Sequence, residues 1–571
     1  MRRNPIHVRL LALSLMSGVM FFTSCNDNDY DFNEIDVTVG IGGDKLEIPV
    51  SSTDVIKLAD VLELEANDCI KEDANGDYVF HQEGGDVAPV HVTISPIVIN
   101  DRNHHSYDIT FLTAMASNGT RALSGGLKAK GKVYEFDYKY TKPVEVVSLL
   151  ESEVNSNISV NFSLPTGLSS IDKLSMTFPE YMVIKAGKDY ELNGNVVTFN
   201  NLRSGSQKTI ALSKIDFTKG GSNIVNGTNS LEMKGSIEVE AAINTLPSTL
   251  PSNLKMTADI NIGEIQLKTA TGHFKPTINM NNLGNVAISS VPDFLKGGNV
   301  NVDLYNPQIK LNISNDMNVE GLVNGVLTAK DKSGRQLAQV SVSGIKVEAN
   351  KTSKICICRT KEGVTGYDQV IANNQLSSLI STIPDNITFS ATAEANSNKT
   401  GSFEFGKQYT IQPSYAVDAP IAFAENATIE YKDTLDGWND DVKDLSLSKD
   451  SYILATANVE SAVPAYLSVE AVPVGVDHKA LSKDDIEVIV EGTVAASADG
   501  QTKVSSPLSI KLVQKTEDAV SKLDGIIFLV SGKANGENGA VTGITLNARK
   551  HTLVLKDVKI QLVGKVIGDF N

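Results

Sequence analysis

The chain has 571 residues and a formal net charge of −17, from 51 basic and 68 acidic residues. At roughly 100–200 residues per domain, this length predicts several domains. Hydrophobic residues make up 41% of the sequence and charged residues 21%, which excludes wholesale disorder. The acidic balance argues against a nucleic-acid partner, because phosphates require a basic surface.

The first 24 residues are predicted to be an export signal. Arg2, Arg3 and Arg9 precede an uncharged apolar stretch over 10–22. It is too short for a membrane-spanning helix, which needs about 20 residues, but it suits a secretory signal. The stretch ends at Phe22-Thr23-Ser24-Cys25, which resembles a bacterial lipobox and implies that Cys25 is lipidated and becomes the mature N-terminus. The alternative is an ordinary secretory signal followed by an unrelated Cys.

Residues 25–36 are predicted to form an acidic tether. Five acidic residues and no basic residue occur over 26–36, and such a polar run stays solvated instead of packing. With Asp27, Asp29 and Asp31, it also resembles the acidic export signal that sends Bacteroidetes lipoproteins to the outer face of the outer membrane. Loss of the first 24 residues removes three Arg and no acid, so the charge changes from −17 to −20. This charge opposes adhesion to an anionic membrane, and the lipid is the one membrane attachment that we expect.

Alternation of apolar and polar residues dominates the rest of the chain. Clear examples are Ile158–Phe162 and Ile309–Ile313, and turn signals such as Asn75-Gly76, Asn193-Gly194 and Asp499-Gly500 lie between the apolar runs. This pattern is typical of antiparallel sheets with one solvated face. We therefore predict an all-β fold of several stacked antiparallel β-sandwich-like domains with few short helices.

The predicted β domains cover 37–145, 146–240, 241–405 and 406–571, after the signal and the tether. The third contains a predicted helix near 368–382, with apolar positions at Val370, Ile371, Leu376 and Leu379, and shorter helices are predicted within 54–64 and 516–523. Cys356 and Cys358 should lie on one face of a strand about 7 Å apart, a spacing that does not suit a disulfide between them.

We find no catalytic motif in the sequence. His-Glu-x-x-His, Gly-x-Ser-x-Gly and the phosphate-binding loop are all missing, so we expect neither enzymatic activity nor a cofactor. A pair of glycosidase carboxylates remains possible, because such acids can come from anywhere in a chain. Trp438 is the best candidate for a sugar-stacking platform; the alternative is a structural Trp. The acids around it are weak calcium-ligand candidates or a solvated loop, and they are Asp436, Asp440, Asp441 and Asp444.

Three resemblances add expectations. Asp433-Thr434-Leu435 resembles the acceptor sequence for O-glycosylation in Bacteroidetes, which implies an exposed Thr434 that carries a glycan. Residues 298–347 resemble the small β-sandwich of water-stress proteins, which implies a fold and no activity. The lipobox, the tether and the β-rich remainder together resemble the uncharacterised multidomain surface lipoproteins of gut Bacteroidetes, which implies a compartment and no reaction.

We accordingly expect a lipid-anchored protein of the outer membrane, on the cell surface, with a non-enzymatic binding, adhesion or scaffold role toward a protein or glycan. One alternative is a glycan-binding or glycan-hydrolysing protein, with a cleft that joins Trp438 or exposed tyrosines to paired acids. The other is a carrier of an apolar ligand such as a lipid, with a solvent-open apolar groove of roughly several hundred Å³.

Overall fold

The computed structural model describes residues 46–568, except 63, 66–67, 85–86, 100–104, 114–125, 245, 247–253, 281–284, 296–298, 444 and 565. Strands account for 59% of it and helices for 5%, which confirms the predicted all-β class. The strands, numbered β1 to β40 in chain order, form six sheets of three or more strands, named A to F below, and two short two-stranded pairs. Adjacent strands are antiparallel in the described sheets, apart from one parallel pair in sheet C.

Sheets A and B share one hydrophobic core and contain most of the C-terminal strands. Sheet A has the order β1 (Leu46–Ser51), β39 (Thr552–Val563), β32 (Tyr452–Ser461), β35 (Val504–Gln514) and β34 (Ile486–Glu491), with β2 (Ile56–Lys57) also paired to β39. Sheet B has the order β30 (Thr428–Leu435), β36 (Gly525–Lys533) and β33 (Tyr466–Val474). The two short pairs are β31 (Leu445–Leu447) with β40 (Val566–Gly568), and β37 (Asn535–Gly536) with β38 (Gly539–Ala540).

Sheets C and D contain the middle strands. Sheet C has the order β26 (Gln369–Ala372), β25 (Lys351–Cys358), β22 (Gln308–Asn315), β29 (Gln408–Pro420), β4 (Tyr78–Glu83) and β3 (Ile70–Glu72), with β5 (Val90–Thr93) also on β29. Sheet D has the order β20 (Thr277–Ile278), β27 (Asn386–Ala395), β23 (Gly321–Lys330) and β24 (Gln336–Val347), with β21 (Asn285–Ala287) also on β27. The region that resembles water-stress proteins thus contributes to two sheets, β22 to C and the β23–β24 hairpin to D.

Sheets E and F are built mainly from residues 98–274. Sheet E has the order β12 (Met182–Ile184), β15 (Gln207–Asp216), β10 (Val146–Ser163), β18 (Lys255–Ile262) and β7 (His105–Thr110); β19 (Ile265–Phe274) also pairs with β10, β6 (Val98–Ile99) and β28 (Gly401–Glu404). Sheet F has the order β13 (Glu191–Asn193), β14 (Val196–Arg203), β11 (Ser170–Thr177), β17 (Ser230–Ile243), β9 (Leu127–Thr141) and β8 (Leu112–Thr113), with β16 (Ile224–Asn226) also on β17.

The chain connects these sheet pairs in a nested order. It begins in sheet A, where Leu46 pairs with Leu562, passes through sheet C, completes most of sheets E and F, and then returns to sheets C and D and finally to A and B. Strand pairing therefore groups residues differently from the linear division at 145, 240 and 405. For example, β9 and β17 form one continuous ladder although position 145 lies between them.

Helices are few and short. In the described ranges, the α-helices are α1 (Leu58–Leu62) and α2 (Asn439–Val442), and the 3₁₀ helices are Phe217–Lys219, Gly221–Asn223, Asp293–Leu295, Leu376–Leu379 and Ala519–Lys522. The prediction of one helix near 368–382 is wrong. Residues 369–372 instead form β26, which pairs parallel with β25, and only Leu376–Leu379 is helical. Pairing with β25 provides hydrogen bonds for the backbone N–H and C=O groups in the first half of this segment, whereas a short isolated helix would be only marginally stable.

The predicted alternation is visible in the core. Ile158, Val160 and Phe162 of β10 are fully buried in a core cluster shared by sheets C to F. Turn residues also act as expected: Asn75-Gly76 closes the β3–β4 hairpin, and Gly194, with a φ of +62°, lies between β13 and β14. No helix in the described ranges is both long and apolar enough to cross a bilayer.

Candidate functional site: an apolar cavity between sheets A and B

The inner face of sheet B forms one wall of an apolar cavity. The register places Val530 of β36 between Tyr431 of β30 and Val469 of β33, so these side chains point the same way. The next row on this face pairs Gly532 with Ile429 and Leu467. Apart from the buried Gly532, these inner residues are only half-buried, which shows that sheet A does not close completely over them.

Sheet A, which shares a hydrophobic core with sheet B, supplies the opposite wall, and helix α1, which follows β2 in the chain, also lines the cavity. The sheet A residues that line the cavity are aliphatic, and they are Ile56, Val459, Leu508, Ile510, Leu553 and Leu555. Helix α1 contributes Leu58, Val61 and Leu62 to the lining, and Phe423 and Leu546 also line the cavity. Backbone hydrogen bonds from Leu58 N to His551 O (2.9 Å) and from Ala59 N to Ala548 O (3.2 Å) hold α1 in place.

The cavity has a volume of about 170 Å³. Protein interiors normally contain few voids larger than a water molecule, so a gap of this size in a sandwich core is unusual. An apolar void of about 150 Å³ stays dry and binds benzene in an engineered protein. The cavity can therefore accept a ring or a short alkyl segment without any rearrangement of its walls.

Besides the phenol of Tyr431, an acid and a histidine interrupt the apolar lining, Asp433 and His551. Asp433 is half-buried on the inner face of β30, opposite Phe528. His551 is 3% exposed, and its Nδ1 accepts a hydrogen bond from Asn547 N at 3.0 Å. Burial, opposed by the nearby Asp77, lowers the pKa of His551 to about 4. The imidazole is consequently neutral at pH 7, and its other nitrogen carries the proton.

Gly500 allows this placement of His551. Its φ is +66°, and a Cβ there would lie 2.8 Å from His551 Nε2. The Asp499-Gly500 turn signal in the sequence therefore has a packing function in addition to its backbone function, because only Gly combines the left-handed conformation with so close an approach.

Thr434 lies at the surface, whereas Trp438 is buried. Thr434 is exposed and lies on the outer face of β30, as a glycan acceptor must, while its neighbours Asp433 and Leu435 face inward. Trp438 is 8% exposed and belongs to the core of sheets A and B, with its backbone N bonded to Asp524 O at 2.9 Å. Its position corrects the hypothesis of a sugar-stacking platform, because a buried indole has no face available to a ligand.

The acids near Trp438 do not converge. Asp436 Oδ2 lies 3.3 Å from His478 Nδ1, and Asp440 Oδ1 lies 3.0 Å from Lys443 Nζ. Asp441 lies in α2 but its side chain is not among those described, and Asp444 lies outside the described residues. Within the described part of the chain, no group of three or more His, Cys, Asp or Glu side chains is placed to hold a metal ion.

The residues of the predicted anchor and routing signal, Cys25, Asp27, Asp29 and Asp31, lie outside the described residues. The thiols of Cys356 and Cys358 are fully buried and do not form a disulfide. Burial raises the pKa of Cys356 to about 12, so this thiol is protonated and unreactive at neutral pH.

A scan of protein-family models finds no match, and a search of curated proteins finds no similar sequence. Among solved structures, the chain is similar to a Parabacteroides distasonis protein described provisionally as secreted: identity is 13%, the TM-score is 0.37, and the match covers 52% of this chain and 90% of that one. It is also similar to a structure of infectious bursal disease virus, Gx strain: identity is 8%, the TM-score is 0.15, and coverage is 89% of this chain and 84% of that one. TM-scores this low carry no information about the cavity's function.

Proposed function

We propose that this protein is a non-enzymatic binding protein, lipid-anchored at the surface of the outer membrane, that holds an apolar ligand between sheets A and B. The observation that carries the proposal is the apolar cavity of about 170 Å³, which is smaller than the groove expected for a lipid carrier and suits a ring or a short alkyl segment. Of the three functions expected from the sequence, it combines the leading one, binding without catalysis, with the carriage of an apolar molecule.

The chemistry of the lining favours a hydrocarbon. Each methylene group moved from water into such a lining contributes about 0.8 kcal/mol, so even a short alkyl segment gains several kcal/mol before the cost of immobilisation. Because the volume suits only a ring or a short segment, a longer acyl chain would extend beyond the cavity. The acid Asp433 and the neutral His551 in the lining favour a ligand with a hydroxyl group over one with a carboxylate.

The position of the cavity along the chain agrees with a membrane source for the ligand. The proposed tether leads toward β1, the first described strand, and β1 lies at the edge of sheet A. The cavity therefore belongs to the pair of sheets connected most directly to the proposed lipid at Cys25.

Ligand binding is tested with the mature chain, residues 25–571, produced without lipid. Benzene, which suits a cavity of this size, should bind saturably in saturation-transfer NMR, and hexanol should displace it better than hexanoate. Val530→Phe should weaken benzene binding at least about 10-fold, because the ring occupies the space between Tyr431 and Val469. The matched control is Val225→Phe on the exposed face of β16, where Val225 is 46% exposed. Absence of saturable binding, or equal binding by Val530→Phe, would contradict the proposal.

The location is tested by protease shaving of intact cells. Wild-type protein should be digested, and a variant with Asp27, Asp29 and Asp31 all changed to Ala should be protected if the tether carries the routing signal. Protection of the wild type in sealed cells would instead place the protein in the periplasm, and cell-surface binding would be abandoned.

A further inference from the structure

A second site, separate from the apolar cavity, is an open polar cleft of about 650 Å³. Among the described residues, its lining consists of amides and hydroxyls together with one carboxylate and one alanine; the residues are Asn301, Asp303, Ala338, Gln339, Asn374, Gln375, Ser377, Ser378, Ser381 and Asn426. Small-molecule sites commonly have volumes of about 300–1,000 Å³, so the cleft has the size of a ligand site. From its geometry we infer that this cleft binds a neutral polyhydroxylated ligand, that is, a sugar.

Asp303 is the buried acceptor of the cleft, with 7% of its surface exposed. Arg359 Nη1 donates to Asp303 Oδ1 at 2.9 Å, and Arg359 does not line the cleft. The other oxygen, Oδ2, accepts only two long hydrogen bonds of 3.4 Å, from the backbone N and the side-chain Nδ2 of Asn426. One carboxylate oxygen is thus held from behind, and the other can accept a shorter and stronger bond from a ligand hydroxyl.

The rim presents amides that have no other bonding role. The side chains of Gln339, Asn374 and Gln375 are exposed, and they form no hydrogen bond with the described part of the chain. Each amide offers two donor hydrogens and an acceptor oxygen. A sugar hydroxyl can both donate to a carboxylate and accept from an amide, which neither an alkyl group nor a metal ion can do.

The rim is held by backbone and side-chain bonds that do not consume these amides. Asn373 Nδ2 donates to Ser341 O at 2.9 Å, and Asn373 Oδ1 accepts from Gln375 N at 3.0 Å, which fixes the turn that carries Asn374 and Gln375. On the other side, Asn301 Nδ2 donates to Asn426 O at 3.0 Å. The backbone that carries the rim amides is consequently fixed, and the entropy lost on binding comes from the exposed amide side chains themselves.

The charge of the cleft selects against acidic ligands. Among the described residues that line it, Asp303 is the only ionisable one, and none is a Lys or Arg. Because Arg359 already pairs with Asp303 from outside the lining, it is not available to a uronic acid or a phosphate, whereas a neutral sugar needs no cation. The described part of the lining also contains no aromatic residue, so affinity depends on hydrogen bonds and should correspond to a dissociation constant on the order of 1 mM.

The experiment is saturation-transfer NMR of the mature chain with neutral oligosaccharides of glucose, galactose, mannose and xylose, and with oligomers of glucuronic acid. At least one neutral sugar should bind saturably, and the acidic oligomers should bind more weakly. The double variant Asn374→Ala with Gln375→Ala should weaken binding at least about 10-fold, because two donor groups are lost. The control is Gln336→Ala, an exposed amide on the same strand as Gln339 that does not line the cleft.

Each remaining outcome would overturn the inference. These outcomes are no saturable binding of any neutral sugar, equal loss in the double variant and in Gln336→Ala, no loss in the double variant, or tighter binding of the glucuronic acid oligomers. Circular dichroism of both variants excludes misfolding as the cause of a loss. The benzene assay is independent of this site, so failure of one proposal can be distinguished from failure of the other.

Discussion

The core between sheets E and F and the core between sheets A and B are built from the same alternating strands but are packed to different degrees. In β10 of sheet E, Ile158, Val160 and Phe162 are completely buried. In β36 of sheet B, the inner residues Phe528 and Val530 are only half-buried. The difference shows that an alternating strand predicts which face is turned inward but not whether the opposite sheet comes close enough to cover it.

Aromatic side chains account for much of this difference. Sheets E and F fill their core with rings, and the fully buried examples include Tyr134, Phe162, Tyr181 and Phe199. The core of sheets A and B is mostly aliphatic, and its buried ring, Trp438, does not line the cavity. Rings bring large areas into contact across a sandwich, and aliphatic residues on a twisted three-stranded sheet leave space.

The largest expected effect comes from removing one ring in each core. Phe162→Ala should reduce the free energy of unfolding by about 3–5 kcal/mol, because it opens a cavity in a filled core. Phe528→Ala should cost less, about 1–2 kcal/mol, because its ring is only half-buried and already borders empty space. Urea unfolding measured by far-UV circular dichroism checks both values.

Trp438 provides the internal control for this pair. It is the only Trp in the chain and lies in the core of sheets A and B, so its emission reports on that core alone. Phe162→Ala should shift the circular dichroism transition more than the Trp438 transition. Equal shifts in both signals would mean that the two cores unfold as one unit. Separate free energies of unfolding could then not be assigned to them.

The second effect comes from adding a ring. Val160→Phe in the filled core should cost about 1–3 kcal/mol, because the extra atoms force neighbouring side chains out of their rotamers. Val530→Phe should change the free energy of unfolding by less than about 1 kcal/mol, because the cavity accommodates the ring. The measurement is the urea midpoint of each variant, and a large loss for Val530→Phe would show that the gap between sheets A and B is not space available to a ligand.

Several of these features could be predicted from the sequence, and the reasons differ for each. The buried face of β10 and the turn at Gly194 follow from local residue patterns, which act over a few positions. The pairing of Leu46 with Leu562 does not follow from local patterns, because neither strand carries a signal that specifies a partner at the opposite end of the chain. Residues 368–372 carried apolar positions compatible with either a helix or a strand, and the partner strand β25 decided the outcome.

The cavity had no signature in the sequence. Val469 and Val530 lie in strands that would look the same if the core were filled, since the volume of the gap depends on the distance between two sheets. Asp433 drew attention as part of a glycosylation resemblance, and its inward position emerges only from the register with Phe528. The polar cleft could not be predicted from the sequence either, because its amides come from four separate segments of the chain.

The smallest expected effect is a difference in pH dependence between the two cores. Among the described residues, His551 is the one buried histidine, and it lies in the wall of the cavity. Burial lowers its pKa in the folded protein to about 4 from an ordinary value of 6.5. As the pH falls below 6.5, the unfolded chain takes up a proton that the folded protein does not, so stability decreases until about pH 4, where the folded protein also becomes protonated.

Between pH 7 and pH 5 this linkage should reduce the stability of sheets A and B by about 2 kcal/mol. The Trp438 urea transition should shift accordingly, and His551→Gln should largely remove the shift, since the Gln amide oxygen can still accept the hydrogen bond from Asn547. His478→Gln, a change at an exposed histidine in the same region, is the matched control and should leave the shift intact. If His551→Gln kept the wild-type pH dependence, the imidazole would be solvated in solution, and the wall of the cavity would be more open to water than its buried position requires.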